Sequence, residues 1–379
     1  MKVAFFQPYL ANWRIEYLEY FINKFEGEVV VYDGGFGGKN DTKSVSGNSA
    51  EFIFKKLFSF SPVFSFKGQS YPFYFSPFLL FHLLKDRPEV VITEGEINFI
   101  NNISIFIYCK LCRKRYVWWS LGKVRTRKEN VINKLLNPVV NFLLKNASCI
   151  MARNSLAKKY YDEKGIESNK VIVAPNSMNH HLALKDNDED LTSSLFAKKS
   201  RKVMLYVGAL TEQKRPIELI EAYSIAMKSG LDDLDLWFVG DGPEMPRLKE
   251  RVLELGLESR VVFFGKIFKG VGNYFKASDF VVVPGLGGLV INHAMIFGKP
   301  VISRLADGTE LDLVKNDVTG YLLEDYSNNT LANSIMEIVE GDKFIMMGEN
   351  AKTLVNTEWN IEKMFARNLD CINFARKKQ

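Results

Sequence analysis

From Ala277 the chain reads Ala-Ser-Asp-Phe-Val-Val-Val-Pro-Gly-Leu-Gly-Gly-Leu-Val-Ile-Asn-His-Ala-Met, and it soon reaches Gly298-Lys299-Pro300-Val301. No other stretch restricts the fold as much. Phe280 to Val283 is a short, wholly apolar run between Asp279 and Pro284-Gly285, the pattern of a strand buried on both faces of a parallel sheet. A glycine-rich turn leads into a helical run from Leu289 to Phe297, which Gly298 and Pro300 stop. Val301 to Ser303 then resumes the sheet, so the stretch closes a βαβ unit. In an open parallel sheet the carboxyl ends of the strands and the helix N-termini beyond them face one crevice, where ligands bind.

The same alternation runs through the rest of the chain. Before residue 180, strands are expected at Val3 to Phe6, Glu28 to Tyr32, Val90 to Thr93, Arg115 to Trp119, Ser148 to Ala152 and Lys170 to Ala174. Helices are expected at Arg14 to Phe25, Ile97 to Cys112, Val131 to Lys145 and Ser155 to Lys164. Residues His181 to Lys202 turn to Asp, Asn, Ser and Lys with little apolar periodicity, which reads as a linker. Beyond it, strands are expected at Lys202 to Gly208, Leu234 to Gly240, Arg260 to Gly265, Phe280 to Pro284, Pro300 to Ser303 and Gly320 to Leu323. With 379 residues, too many for one ordinary core, the chain reads as two doubly wound α/β domains, residues 1–185 and 200–358.

Charge divides unevenly between them. Through His180 there are 25 Lys and Arg against 15 Asp and Glu; the remainder carries 25 against 29. The basic excess peaks at Lys110, Arg113, Lys114 and Arg115 and again at Lys123, Arg125, Arg127 and Lys128. Such a half attracts phosphate-bearing partners, including an anionic membrane surface; an ordinary solvated face is the alternative. Ten of the 29 phenylalanines fall between Phe52 and Phe81, a density that suits either a crowded core or a membrane interface. No apolar run reaches the 18 or so residues needed to span a bilayer. The expected location is cytoplasmic, peripheral on the inner face of the membrane. Cys109 and Cys112 sit at helical spacing without a second Cys pair or His cluster, so packing is favoured over a redox or zinc role. Asp33-Gly34-Gly35-Phe36-Gly37-Gly38 lacks a P-loop lysine and reads as a turn.

In the second half, three glycine turns follow strands. Gly208 closes the first, with Lys214 six residues on, close to a helix that starts at Pro216; the pairing of an ammonium with free backbone N–H groups suits a diphosphate. Gly240-Asp241-Gly242 closes the second, and two glycines there allow close approach of a flat or anionic group. The third is the Gly285 to Gly288 turn already described.

The order Val-Gly-Ala-Leu…Lys, Val-Gly-Asp-Gly-Pro, Val-Phe-Phe-Gly, Ser-Asp-Phe-Val-Val-Val-Pro, Gly-Leu…His-Ala-Met…Gly-Lys-Pro-Val-Ile, Asp-Gly-Thr-Glu-Leu and Thr-Gly-Tyr-Leu-Leu resembles family 4 glycosyltransferases of the GT-B fold. The resemblance covers about Lys202 to Val339. It implies two Rossmann-like domains facing across a cleft, the second holding a nucleotide-sugar and the first an acceptor. It further implies retaining transfer with no metal and no cofactor. The closing helices near residues 359–379 look like the segment that crosses back to the first domain. By the same resemblance, Lys214 neutralises the donor diphosphate, Gly240 and Gly242 flank the base, and Gly288 with Leu289 brings a helix N-terminus to the donor. Glu310 matches a family glutamate, with the Gly308 and Thr309 amides meeting phosphate or sugar oxygens. The family's glutamate pair is replaced by Gly285 and His293. Ala209 stands where an arginine is common, and Leu121 where a histidine often lies.

His293 follows Asn292 on an apolar helix, so that pair either meets a ribose hydroxyl or phosphate or belongs to the core. Glu310 follows a turn that favours an exposed carboxylate. The expectation is a glycosyltransferase with Glu310 and His293 as catalytic residues, acting on a nucleotide-diphosphate sugar and a glycan or lipid-linked acceptor of a bacterial surface polysaccharide such as lipopolysaccharide. A non-catalytic nucleotide-sugar-binding or assembly subunit is the rival. No nucleic-acid module is recognisable, and nucleic acid is not an expected partner.

Overall fold

The computed structural model of this chain describes residues 1–8, 10–35, 52–60, 63–66, 69–72, 74–95, 99–122, 131–186 and 188–377. The glycine run past Gly35 and the second basic cluster, from Lys123 to Lys128, lie outside them. The described residues form two compact units. One holds the chain through Pro175 together with the residues from Glu362 on; the other is continuous from Asn176 to Ile361.

In the first unit the strands are β1 (Lys2–Gln7), β2 (Glu28–Asp33), β3 (Phe52–Lys56), β4 (Val63–Phe66), β5 (Gln69–Pro72), β6 (Val90–Glu94), β7 (Arg115–Ser120), β8 (Cys149–Ala152) and β9 (Val171–Val173). Seven of them make a parallel sheet in the order β3-β2-β1-β6-β7-β8-β9, while β4 and β5 pair as a separate antiparallel hairpin. The register sets Val3 beside Val29 and Val90. The helices are α1 (Asn12–Lys24), α2 (Leu79–Asp86), α3 (Phe99–Leu111), α4 (Val131–Asn146) and α5 (Ser155–Glu163). Side chains alternate across the sheet as the strand period requires. Ala4, Phe6, Val30 and Tyr32 pack with Leu79 and Leu83 of α2, Ile105 and Tyr108 of α3 and Leu143 of α4. Phe5 turns to the opposite face and meets Phe21 of α1, ring centroids 5.0 Å apart.

The second unit begins with α6 (His180–Lys185) and α7 (Glu189–Lys198) and continues through β10 (Lys202–Val207), α8 (Pro216–Lys228), β11 (Leu234–Val239), α9 (Met245–Glu254), β12 (Val261–Phe263), α10 (Val271–Ala277), β13 (Phe280–Val283), α11 (Leu289–Ile296), β14 (Val301–Arg304), α12 (Thr309–Leu313), β15 (Gly320–Leu323), α13 (Asn328–Val339) and α14 (Lys343–Thr357). Its six strands are all parallel, ordered β12-β11-β10-β13-β14-β15. All four residues of β13 are buried, each contributing roughly 1.5–3 kcal/mol. The chain then enters α15 (Ile361–Lys377), whose Phe365 packs against Phe21 of the first unit's core, ring centroids 5.2 Å apart.

One expectation needs correction. Residues 181–202 are no linker: Asp188 caps α7 by accepting from Leu191 N, and its own N–H donates to Asn273 Oδ1 on α10. Ala183 and Leu195 enter the core of the second unit. The polar letters there belong to caps and an outer helix face, so the division falls at residue 175 rather than 185. The phenylalanine-rich segment, open between a core and a membrane interface, keeps part of its apolar surface outside. It contributes β3, which was not expected, and it leaves Phe58, Phe60, Phe78 and Phe81 each more than half exposed. The cysteines are all free thiols, and burial pushes that of Cys109 up to about 12.

Candidate functional site

The strand orders put a topological switch point between β10 and β13 in the second unit and between β1 and β6 in the first. A crevice opens at such a point because the flanking connections leave to opposite sides of the sheet.

At the second unit's switch point the first two glycine turns lie back to back. Gly208 N donates to Val239 O and Leu210 N to Asp241 O, each at 3.0 Å. A Cβ on Gly240, whose φ is 145°, would stand 1.8 Å from Gly208 O, and one on Gly242 would stand 2.4 Å from Leu210 O. The room these glycines leave is filled by the neighbouring turn. They set the shape of the edge at the switch point.

Lys214 ends a short 3-10 turn, Glu212–Lys214, that passes through Arg215 at φ 53° into α8, with Pro216 at its first position. Its side chain is partly buried, and Nζ donates to Gly287 O at 3.1 Å. Burial lowers its pKa, and the charge of Asp307 opposes that shift. The Gly285 turn rests on the same segment. Leu286 N donates to Gln213 O, and a Cβ on Gly285 would lie 2.5 Å from Gln213 O and 2.9 Å from Lys214 C. The first position of the family's glutamate pair therefore has no room for a side chain in this chain.

Gly288 opens α11 at φ 70° and ψ −136°, a backbone shape that glycine adopts far more readily than other residues. No side chain caps α11, and a Cβ at Gly288 would meet nothing within 4 Å. The N–H groups of its first turn, starting at Leu289, stand beside a lysine ammonium tied to the preceding carbonyl, a site with the charge and donors for an anion.

Further along α11 the two polar side chains are engaged by the protein itself. Asn292 is fully buried; its Oδ1 accepts from Met178 N and its Nδ2 donates to Trp359 O, so it fastens the helix to two other segments. His293 packs beside the rings of Phe275 and Phe297, centroids 4.5 and 5.6 Å away. Burial pulls its pKa down to about 4, although the residue as a whole is only partly buried among these rings.

Glu310 is corrected too. Only 1% of it is exposed, because Oε1 turns back to accept from Ala306 N and Gly308 N, while Thr309 N donates to Asp307 Oδ1. The loop amides expected to meet a ligand are thus claimed by the loop's own carboxylates. Burial and the neighbouring Asp307 charge raise Glu310 to about 7, and its Oε2 has no hydrogen-bond partner. Among the described residues no hydrogen bond or ion pair joins His293 to Glu310.

The first unit's switch point holds a cluster that the sequence reading missed. Gln7 ends β1 and Glu94 ends β6. Glu94 Oε1 takes Arg153 Nη2 at 2.6 Å and lies 3.6 Å from Arg14 Nη2. The buried Arg14 guanidinium lies 3.8 Å from the Trp119 ring centroid and 4.3 Å from that of Trp13. Gln7 Nε2 and Trp119 Nε1 are buried without a hydrogen-bond partner. Two cations thus meet at one carboxylate. No single motif announces it, since its members come from four separate connections.

Residues 187–354 match the family described as Glycosyl transferases group 1, a span inside the second unit. Among curated proteins, the N-acetyl-alpha-D-glucosaminyl L-malate synthase of Bacillus anthracis is 24% identical over 238 residues, 61% of each chain. The UDP-Gal:alpha-D-GlcNAc-diphosphoundecaprenol alpha-1,3-galactosyltransferase of Escherichia coli is 28% identical over 205 residues, 52% of each chain. The chain thus spans between half and two thirds of the length of these relatives. Among solved structures, HepE of Anabaena in complex with UDP superposes with a TM-score of 0.77 at 18% identity, covering 98% of this chain and 100% of that one. A glycosyltransferase from Rickettsia africae gives 0.73 at 17%, covering 100% and 99%. These likenesses show the fold, GT-B with two Rossmann-like domains, and the sequence matches are to enzymes named for sugar transfer or synthesis.

Proposed function

We propose that this protein transfers a hexose-type sugar from a nucleoside diphosphate to a glycan or lipid-linked acceptor during assembly of a bacterial surface polysaccharide. In this reading it works at an anionic membrane surface on the cytoplasmic side, with retention at the anomeric carbon and without a metal. The observation that carries the proposal is the Lys214 ammonium held on Gly287 O beside the uncapped N-terminus of α11, at the switch point of the sheet. As the bond from the anomeric carbon to the diphosphate breaks, negative charge grows on the leaving oxygen. A fixed ammonium and fixed amide dipoles stabilise that charge without reorganising. The buried Glu310 carboxyl shapes the loop beside this site, its Oε1 accepting from the Ala306 and Gly308 amides. In the first unit, the Arg153–Glu94 pair at the switch point of the sheet marks the place for the acceptor in this reading.

The test is Lys214→Ala, titrated with UDP by calorimetry and assayed for sugar transfer. A hydrogen bond to a charged group is worth about 1.5–3 kcal/mol, so UDP should bind roughly tenfold to a hundredfold more weakly, with melting little changed. Unchanged UDP affinity removes Lys214 from the donor site. The second reading, a binder that does not turn over, is favoured by the closed Gly285 position and by the burial of His293. A wild-type protein that binds UDP-sugars but transfers nothing to lipid-linked acceptors would decide for it.

A further inference from the structure

At the opposite edge of the first sheet, where the strands begin, lies a cavity of about 580 Å³ between the C-terminal ends of α3 and α4 and the starts of β7 and β8. Lys110, Arg113, Lys114, Arg115, Lys145 and Lys170 line it, and no carboxylate does. Part of this charge serves the helix ends, as where Lys170 Nζ donates to Lys145 O at 2.8 Å. Two helix C-termini carry about one negative charge between them, and Lys110, Arg113, Lys114 and Lys145 alone outnumber it.

Beside the cavity the outer helix surface is apolar. Ile103, Ile107 and Leu111 follow one another at four-residue intervals on the exposed side of α3, and Val139 and Phe142 are exposed on α4. Phe106 and Phe142, ring centroids 5.2 Å apart, join the two helices. A helix in water normally turns its charged side outward; here the outward side is apolar and ends in a cationic cavity. A soluble phosphate compound needs the cations but not the apolar face. An anionic lipid needs both, the cavity for its phosphate and the face for its chains.

We propose that this cavity binds the phosphate of an anionic phospholipid and seats the α3–α4 face of the first unit on a membrane. The inference deepens the membrane-surface part of the reading above and does not depend on sugar transfer. The test is co-sedimentation with phosphatidylcholine vesicles, with and without phosphatidylglycerol, over a range of salt. Each basic residue near an anionic surface adds roughly fivefold in affinity, so Lys110→Gln/Lys114→Gln/Lys145→Gln should bind phosphatidylglycerol vesicles about a hundredfold more weakly. Leu111→Asp should also weaken binding, and UDP affinity and melting should be unchanged in both variants. Equal sedimentation with the two vesicle types, or full binding by the triple variant, overturns the proposal. Saturable binding of pyrophosphate without sedimentation also overturns it, in favour of a soluble ligand. Failure of the wild type to bind UDP strikes the donor site alone and leaves the vesicle result standing.

Discussion

Glu310→Gln should make the second unit more stable at pH 8 and leave it unchanged at pH 4.5. In the folded protein the carboxyl of Glu310 is raised from 4.5 to about 7, chiefly by burial and by Asp307. A raised carboxyl binds its proton more tightly in the folded than in the unfolded state. Its stabilising contribution is therefore complete below about pH 4.5 and is lost as pH rises through about 7. At 1.36 kcal/mol per pH unit the shift corresponds to about 3 kcal/mol, nearly all of it lost between pH 4.5 and 7. Glutamine reproduces the protonated acid: Oε1 still accepts from Ala306 N and Gly308 N, and an amide N–H replaces the acid proton. It cannot ionise, so the variant escapes the loss. For a unit of this size each kcal/mol moves the melting point by about 2–4 °C, which predicts a gain of roughly 6–12 °C at pH 8. Scanning calorimetry of both proteins at pH 5, 6, 7 and 8 provides the measurement. Parallel profiles for wild type and variant would show that Glu310 is ionised throughout, and the argument from its burial would fail.

His293→Phe should keep sugar transfer and remove an acid sensitivity: its pKa is depressed to about 4, so the stability tied to its neutral form is present above about 6.5 and is lost as pH falls through 4. Turnover lost with an unchanged melt would return His293 to the active site. Gly285→Glu restores the family's carboxylate in sequence but sets its Cβ against Gln213 O; melting temperature and UDP affinity should both fall, and increased transfer would contradict the packing described.

Most of the second unit could be read from its sequence because two-sided burial leaves a plain signature, as in Phe280 to Val283 between Asp and Pro-Gly. The first sheet was less legible at its edge. In β3, two of the five residues are lysines, and Lys55 faces Asp86 rather than solvent. At the site, the turn positions were legible but their occupants were not. A glycine announces that something approaches closely; at Gly240 that something is Gly208 O, and no letter in the sequence names it. Glu310 is a charged residue after a turn, which suggests exposure. Its burial depends on the side chain curling back onto two amides of its own loop, a geometry that composition does not encode. Arg14, Glu94 and Arg153 are far apart in the chain and meet only because the strand order brings their connections together.

The last helix bears on the order in which the protein is made. Met364, Cys371 and Ile372 of α15 are fully buried, and the Cys371 thiol lies beside that of Cys149 of β8 in the first sheet. The first unit is therefore translated early and finished late, since residues 176 to 361 emerge before its final helix does. Domains usually fold as units in the order of synthesis. Here the middle segment is complete first, while the earlier sheet waits with the α1 side uncovered. A nascent chain stalled short of α15 would present a finished second unit tethered to an unfinished first one, and that species exposes Phe21 and Cys149 to chaperones or to aggregation.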